Sequence, residues 1–209
     1  MEHSVPVAPV AVLRPRGAHR FEVFSLKLSR RVTFYRRAAL EQWLVFEADP
    51  VVRTFCERPG YVIHDRQCFL ADFWVRYSDR QELIFLPDPV ATHCDKPRAT
   101  ILADAMPVRY IEPAELSAAR VWTGNWQRML PCLIATRGLI SGSLLDDITR
   151  FVSNPQPLLA IEREFSTGDS MLVRAAVFSL LHAGRVRAAA LHTEALSLLT
   201  SFVASETVS

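Results

Sequence analysis

Lysine is nearly missing from this 209-residue chain: Lys27 and Lys96 are the only two among 24 basic side chains, and the rest are arginine. Arginine suits bidentate contacts with phosphates and bases. It is also what a GC-rich genome encodes by default, so its excess alone identifies nothing. Glycine is scarce, with seven residues against thirteen prolines, which excludes a collagen-like chain or a Gly-rich linker protein. Cysteine is limited to Cys56, Cys68, Cys94 and Cys132, with no Cys-x-x-Cys pair. That argues against a zinc ribbon and against a disulfide-stapled secreted fold. His64-x-x-x-Cys68 with His93-Cys94 matches no standard metal spacing, so buried thiols and surface histidines are expected. No window reaches the ~18 apolar residues of a membrane span. The apolar run from Val5 to Leu13 is broken by two prolines and lacks a positive region before it, so it does not fit a secretory signal. A cytoplasmic protein with no membrane contact is expected.

What the chain does have is the balance of a folded protein: half its residues are apolar and 22% are charged. Its length suits one ordinary domain, or two of roughly 100 residues each. The formal net charge is only +2, so total charge does not announce a nucleic-acid binder. The charge is uneven, however. Between Arg14 and Arg37 there are eight basic side chains and one acid, Glu22. This stretch reads as an arm contacting a DNA backbone or, more plainly, as a solvated basic arm. Arg30, Arg31, Arg36 and Arg37 are its DNA-contact candidates.

Periodicity divides the chain. Pro6, Pro9 and Pro15 make residues 1–20 an expected extended tail. Leu40, Trp43 and Leu44 predict a helix ending at Asp49-Pro50. Tyr61–Ile63, Cys68–Tyr77 and Glu82–Leu86 read as strands. A helix end near Ile101–Ala105, a strand at Val108–Ile111 and a helix opening at Pro113 follow. The expected unit, residues 21–120, is an α/β domain: a helix, a strand meander, and a crossover to another strand. Residues 121–140, with Trp122, Trp126 and Pro131, read as a linker. Residues 141–209 read as three short helices and a Gly-turned basic strand, a winged-helix shape. Ser143, Pro157 and Thr167/Asp169 are the expected helix caps. In that shape the third helix, from Ser170 to His182, would face the major groove with Arg174. Arg185 and Arg187 would follow on the basic strand. Few polar side chains on that helix fit a protein-docking module equally well.

Glu41 on the first helix and Asp72 within Leu70-Ala71-Asp72-Phe73-Trp74-Val75 are the candidates for chemistry. An acid among apolar strand residues is costly to bury without compensation. Mg²⁺ is one compensation, since it takes one or two carboxylates and keeps several waters. The plain structural alternative is a solvated Glu41 and an Asp72 that caps or pairs near a strand end.

The segment from Ala39 to Pro59 resembles the N-terminal half of the transposon endonuclease TnsA family. The features are a Leu-Glu start, an Asp-Pro helix stop, a following valine and an aromatic. Cys68-Phe69-Leu70-Ala71-Asp72-Phe73-Trp74-Val75 looks like the family's Tyr-x-Pro-Asp-Phe-x-Val strand, with Ala71 in place of the proline. Glu57-Arg58-Pro59 stands where the family has a Gln-Pro element. Met106 to Leu116 is similar to the family's closing strand and helix. The resemblance covers roughly residues 24–200. It implies a restriction-endonuclease-like α/β fold, a mixed sheet flanked by helices, followed by a small winged-helix domain. It also implies a Mg²⁺ site in which Glu41, Asp72 and a Glu-or-Gln-x-Lys tripeptide on the adjacent strand act together. There the metal polarises the phosphoryl group and supplies hydroxide, and the lysine offsets developing charge.

The adjacent strand departs from that pattern. Phe85 falls where the carboxylate or amide belongs, and Pro87 falls where the lysine belongs. Shifting the register offers Glu82 but no ammonium. Lys96, with Arg98, is the one displaced lysine available. The expectation is therefore a TnsA-like subunit with lost or impaired 5′-end cutting. It would bind transposon-end DNA, a TnsB-like transposase and a TnsC-like ATPase. An active Mg²⁺-dependent endonuclease and a winged-helix regulator are the alternatives.

Overall fold

The computed structural model describes residues 8–64, 67–87, 91–92, 106–166 and 170–205. The chain is mixed α/β, with a mixed sheet flanked by helices, and it divides into two units. The first is Met1–Phe46 with Val51–Ser117; the second is Glu47–Pro50 with Ala118–Ser209.

The first unit opens with a β-hairpin, β1 (Phe21–Ser25) and β2 (Arg30–Phe34), in which Phe21 faces Phe34 and Val23 faces Val32. Alternating apolar residues sit between the arginines of the basic stretch, so much of the expected arm is a strand pair. Helix α1 (Arg37–Ala48) follows. Then come β3 (Val52–Glu57), β4 (Tyr61–His64), β5 (Gln67–Leu70), β6 (Phe73–Tyr77), β7 (Gln81–Phe85), β8 (Ala91–Thr92), β9 (Val108–Tyr110) and the short helix α2 (Pro113–Ala118). The main sheet has the order β3-β6-β7-β9, with β3, β6 and β7 antiparallel and β9 parallel to β7. A parallel neighbour requires a crossover between β7 and β9. A second sheet runs β4-β5-β8.

Two layers of side chains hold this sheet. On one face Phe46 meets Phe73 edge to face at 5.2 Å, Phe34 lies 5.9 Å from Phe73, and Phe34 lies 6.1 Å from Trp43. Burying each such ring contributes about 1.5–3 kcal/mol. On the other face Ala71, Leu83 and Phe85 pack with Val62, Phe69, Trp74 and Met106. Cys68–Tyr77 is not the single strand expected: it breaks at Ala71–Asp72 into β5 and β6, which belong to different sheets. Ala71 donates its N–H to the Gly60 carbonyl there, a bond a proline could not make. Cys56 and Cys132 are not disulfide-bonded, whereas Cys68 is, unlike the thiol expected.

The second unit corrects the expected linker. Residues 121–140 are mostly helix: α3 (Arg120–Ala135) runs through Pro131. Proline in a helix interior costs about 3 kcal/mol. Trp126, Met129, Leu130 and Leu133 lie on one face and are buried, at about 1.5–3 kcal/mol each, so packing wins. Helix α4 (Gly142–Phe151) is capped by Ser141, whose hydroxyl accepts from Leu144 N, not by Ser143 as expected. β10 (Gln156–Pro157), α5 (Leu158–Phe165), α6 (Met171–His182), β11 (Val186–Arg187), a 3₁₀ turn (Ala189–His192) and β12 (Ser201–Ala204) complete the unit. Its sheet runs β10-β12-β11, all antiparallel. Thr167 and Asp169 lie outside the described residues.

Candidate functional site

The cleft of the first unit is built where β5 ends and β6 begins. The Asp72 N–H bonds the Ile84 carbonyl, so the backbone still follows β7. Two residues past Ile84, just beyond β7, the ladder is continued by the side chain: Asp72 Oδ2 accepts from Leu86 N at 2.8 Å. The other carboxylate oxygen, Oδ1, receives Arg36 Nη1 at 3.0 Å, and Arg36 Nη2 donates to the Pro87 carbonyl. Arg36 thus arrives from just before α1 and closes the strand end with both arms of its fork. Burial pushes the Asp72 carboxyl above its ordinary range, and the Leu86 N–H and Arg36 offset this only in part.

A second carboxylate stands beside it. Glu57 ends β3 opposite Phe73 and is fully buried. Arg30 of β2 grips it with two parallel hydrogen bonds of 2.7 and 2.6 Å. The bond to Glu57 is the main reason the Arg30 guanidinium is raised. Arg58 follows in a left-handed conformation, φ +49°, which is uncommon for a residue with a side chain. It is tied down on every side: its N–H goes to Asp72 O, its Nη1 to Thr33 O, and its carbonyl and Nε to the backbone of Val10. These groups enclose a cavity of about 290 Å³, also lined by Tyr61, Leu70 and residues Val12 and Leu13 of the N-terminal segment.

The sequence candidates distribute unevenly around this cleft. Asp72 lines it and Arg36 enters it. Glu41 does not line it; it pairs with Arg37 one helical turn away, at 2.8 Å. Phe85 is on the opposite face of the sheet, stacked on Tyr110 at 5.5 Å, so its ring does not fill the cleft. Pro87 contributes its carbonyl to Arg36. Glu82 is buried near the Tyr77 phenol and Arg109, and burial followed by Glu82 pushes that phenol up. Lys96 and Arg98 lie outside the described residues. Glu57 and Arg58 were not foreseen as lining a site, although Phe55-Cys56-Glu57 ends a strand with an acid in an apolar run.

The described residues do not fit Mg²⁺. Such an ion needs free carboxylate oxygens, and the oxygens of Asp72 and Glu57 are taken by guanidinium and backbone donors. Among the described residues no three His, Cys, Asp or Glu side chains gather as metal ligands.

In the second unit the expected groove-reading helix is covered. Seven of α6's twelve residues are buried, and Ala175–Phe178 are four in succession. At 100° per residue that leaves no free face in the middle of the helix. The covering element on one side is α3, the segment expected as linker. Arg174 is engaged with the buried carboxylate of Glu162 through both guanidinium arms. Arg185 pairs with Asp146 at 2.8 Å, and Arg187 is exposed. A groove of about 560 Å³ opens beside the start of α6, lined by Arg128, Cys132, Met171, Arg174, Phe178 and Leu198. Met171, Leu172, Leu198 and Leu199 are exposed apolar residues.

No described helix is long and apolar enough to cross a membrane. Comparison with models of known protein families and with curated proteins finds no match.

Proposed function

We propose that the chain is a DNA-binding and protein-docking subunit on a nuclease-like scaffold. Within that class we read it as a TnsA-like subunit of a heteromeric bacterial transposition system whose 5′-end cutting is lost or impaired. The observation that carries this reading is the first unit's topology: a helix, three antiparallel strands, a crossover and a fourth strand parallel to the third. Asp72 stands at the head of the second of those strands, at a cleft, as the restriction-endonuclease-like pattern requires. The order α4, β10, α5, α6, β11, β12 with a β10-β12-β11 sheet supports a winged-helix-like second unit.

The roles follow from which side chains are most exposed. Arg31 and Arg37 are about four-fifths exposed, at 78% and 81%. They are the cations of the basic stretch best placed for phosphates, where sequence-independent affinity falls steeply with salt. In the second unit, exposed apolar residues around a groove bearing Arg128 favour docking of a protein partner over reading of base edges. A TnsB-like transposase and a TnsC-like ATPase are the partners this reading names. Uncut 5′ ends would give cointegrate products. A stand-alone winged-helix regulator is disfavoured by the burial of α6.

The test is a plasmid-nicking and duplex-binding assay on the purified chain. We expect salt-sensitive DNA binding and no nicking with Mg²⁺ or Mn²⁺. Metal-dependent nicking lost in Glu41→Ala or Asp72→Ala would establish the active alternative, in which Lys96 supplies the displaced lysine. Absence of DNA binding would remove the reading.

A further inference from the structure

The geometry points to Arg36 as the resident counter-cation of this cleft, occupying a place that becomes a divalent-cation site only when the guanidinium is removed. Two oxygens converge on its fork: Asp72 Oδ1, and the carbonyl of Pro87. The other Asp72 oxygen is held by Leu86 N, which fixes the carboxylate's orientation. The backbone around it is equally fixed, through Asp72 N to Ile84 O and Arg58 N to Asp72 O. Removing the guanidinium therefore leaves a preformed pair of oxygen donors, a mostly buried carboxylate with the Leu86 N–H as its remaining donor, and an open cavity into which water can enter. One carboxylate, one carbonyl and several waters are what a small divalent cation accepts.

In the natural chain the ion cannot compete. Arginine keeps its charge throughout the accessible pH range. It is tethered to the same chain, so its pairing with Asp72 forms intramolecularly and recruits nothing from solution. Glu57, the neighbouring carboxylate, is closed in the same manner by Arg30. Two of the eight basic side chains counted between Arg14 and Arg37 are thus internal counter-charges, not a free basic surface. The inference rests on the nuclease-like reading for the expectation of a metal, but its readout needs no DNA, so the two can fail separately.

The probe is Mn²⁺ alone, followed by loss of its free-ion electron paramagnetic resonance signal at neutral pH. The natural chain is expected to leave the signal unchanged. Arg36→Ala and Arg36→Met are each expected to bind a single Mn²⁺, and Arg36→Met with Asp72→Asn to bind none. Should both single variants lose their native circular dichroism, added Mn²⁺ is expected to restore it. Three results would overturn the inference: Mn²⁺ binding by the natural chain that Asp72→Asn abolishes, folded Arg36 variants that bind no more Mn²⁺ than the natural chain, or unfolded variants that Mn²⁺ leaves unchanged.

Discussion

At the residue scale the cleft is governed by competition between burial and pairing at Asp72. Burial is the larger effect and raises its carboxyl above the ordinary range; the Leu86 N–H and Arg36 oppose it. A native carboxyl that holds its proton to higher pH than the unfolded one makes protonation favour folding. The contribution of this group to stability is therefore fullest below about pH 4, the ordinary aspartate value, and is lost as pH rises through the raised native value. Removing Arg36 deletes one of the two opposing influences. In Arg36→Met the Asp72 carboxyl should titrate at higher pH than in the natural chain, as read from its side-chain carboxyl ¹³C shift. An unchanged or lower midpoint would mean that the 3.0 Å pair carries little charge interaction in solution.

Elements show why some of this was legible and some was not. Helix α1, β7 and the α4–α6 series follow their apolar periodicity, because propensity and burial agree there. The break at Ala71–Asp72 was hidden, since an unbroken apolar run looks the same whether it serves one sheet or two. Helix α3 was hidden by Pro131, whose penalty the local pattern exaggerates when burial further along the helix is not visible. Asp72 was legible as an acid in an apolar strand. Its partners were not, because Arg36 and Arg30 reach across tertiary distances that no spacing rule encodes.

The end of α6 tests this element-scale packing. Gly184 adopts φ +73°; its N–H bonds Leu181 O, and Arg185 N bonds Leu180 O, the two bonds of a Schellman stop. A Cβ added to Gly184 would lie 2.8 Å from Pro50 Cβ, so both conformation and space demand glycine. Gly184→Ala should destabilise the protein by about 2–4 kcal/mol, from the left-handed penalty plus overpacking. Denaturant unfolding would show it as a lower midpoint. A loss below about 0.5 kcal/mol, the size of an ordinary surface substitution, would mean the proline gives way freely.

For the whole molecule a net charge of +2 hides a division of labour among arginines, some spent inside and some left outside. Arg30, Arg36 and Arg174 neutralise buried carboxylates, so replacing them would be felt in stability before DNA affinity. Arg31 and Arg37 on the first unit, and Arg187 on the second, are exposed. Each phosphate contact contributes about 0.9 to the slope of log affinity against log salt. If the first unit holds the DNA, Arg31→Ala with Arg37→Ala should reduce that slope by about 2. Arg185→Ala with Arg187→Ala should change it less, because Arg185 is only 43% exposed, about half as much as Arg31 or Arg37. Fluorescence anisotropy titrations over a range of salt concentrations would separate the two. A larger loss from the second pair would move the DNA contact onto the second unit and leave the hairpin and α1 arginines as a solvated surface.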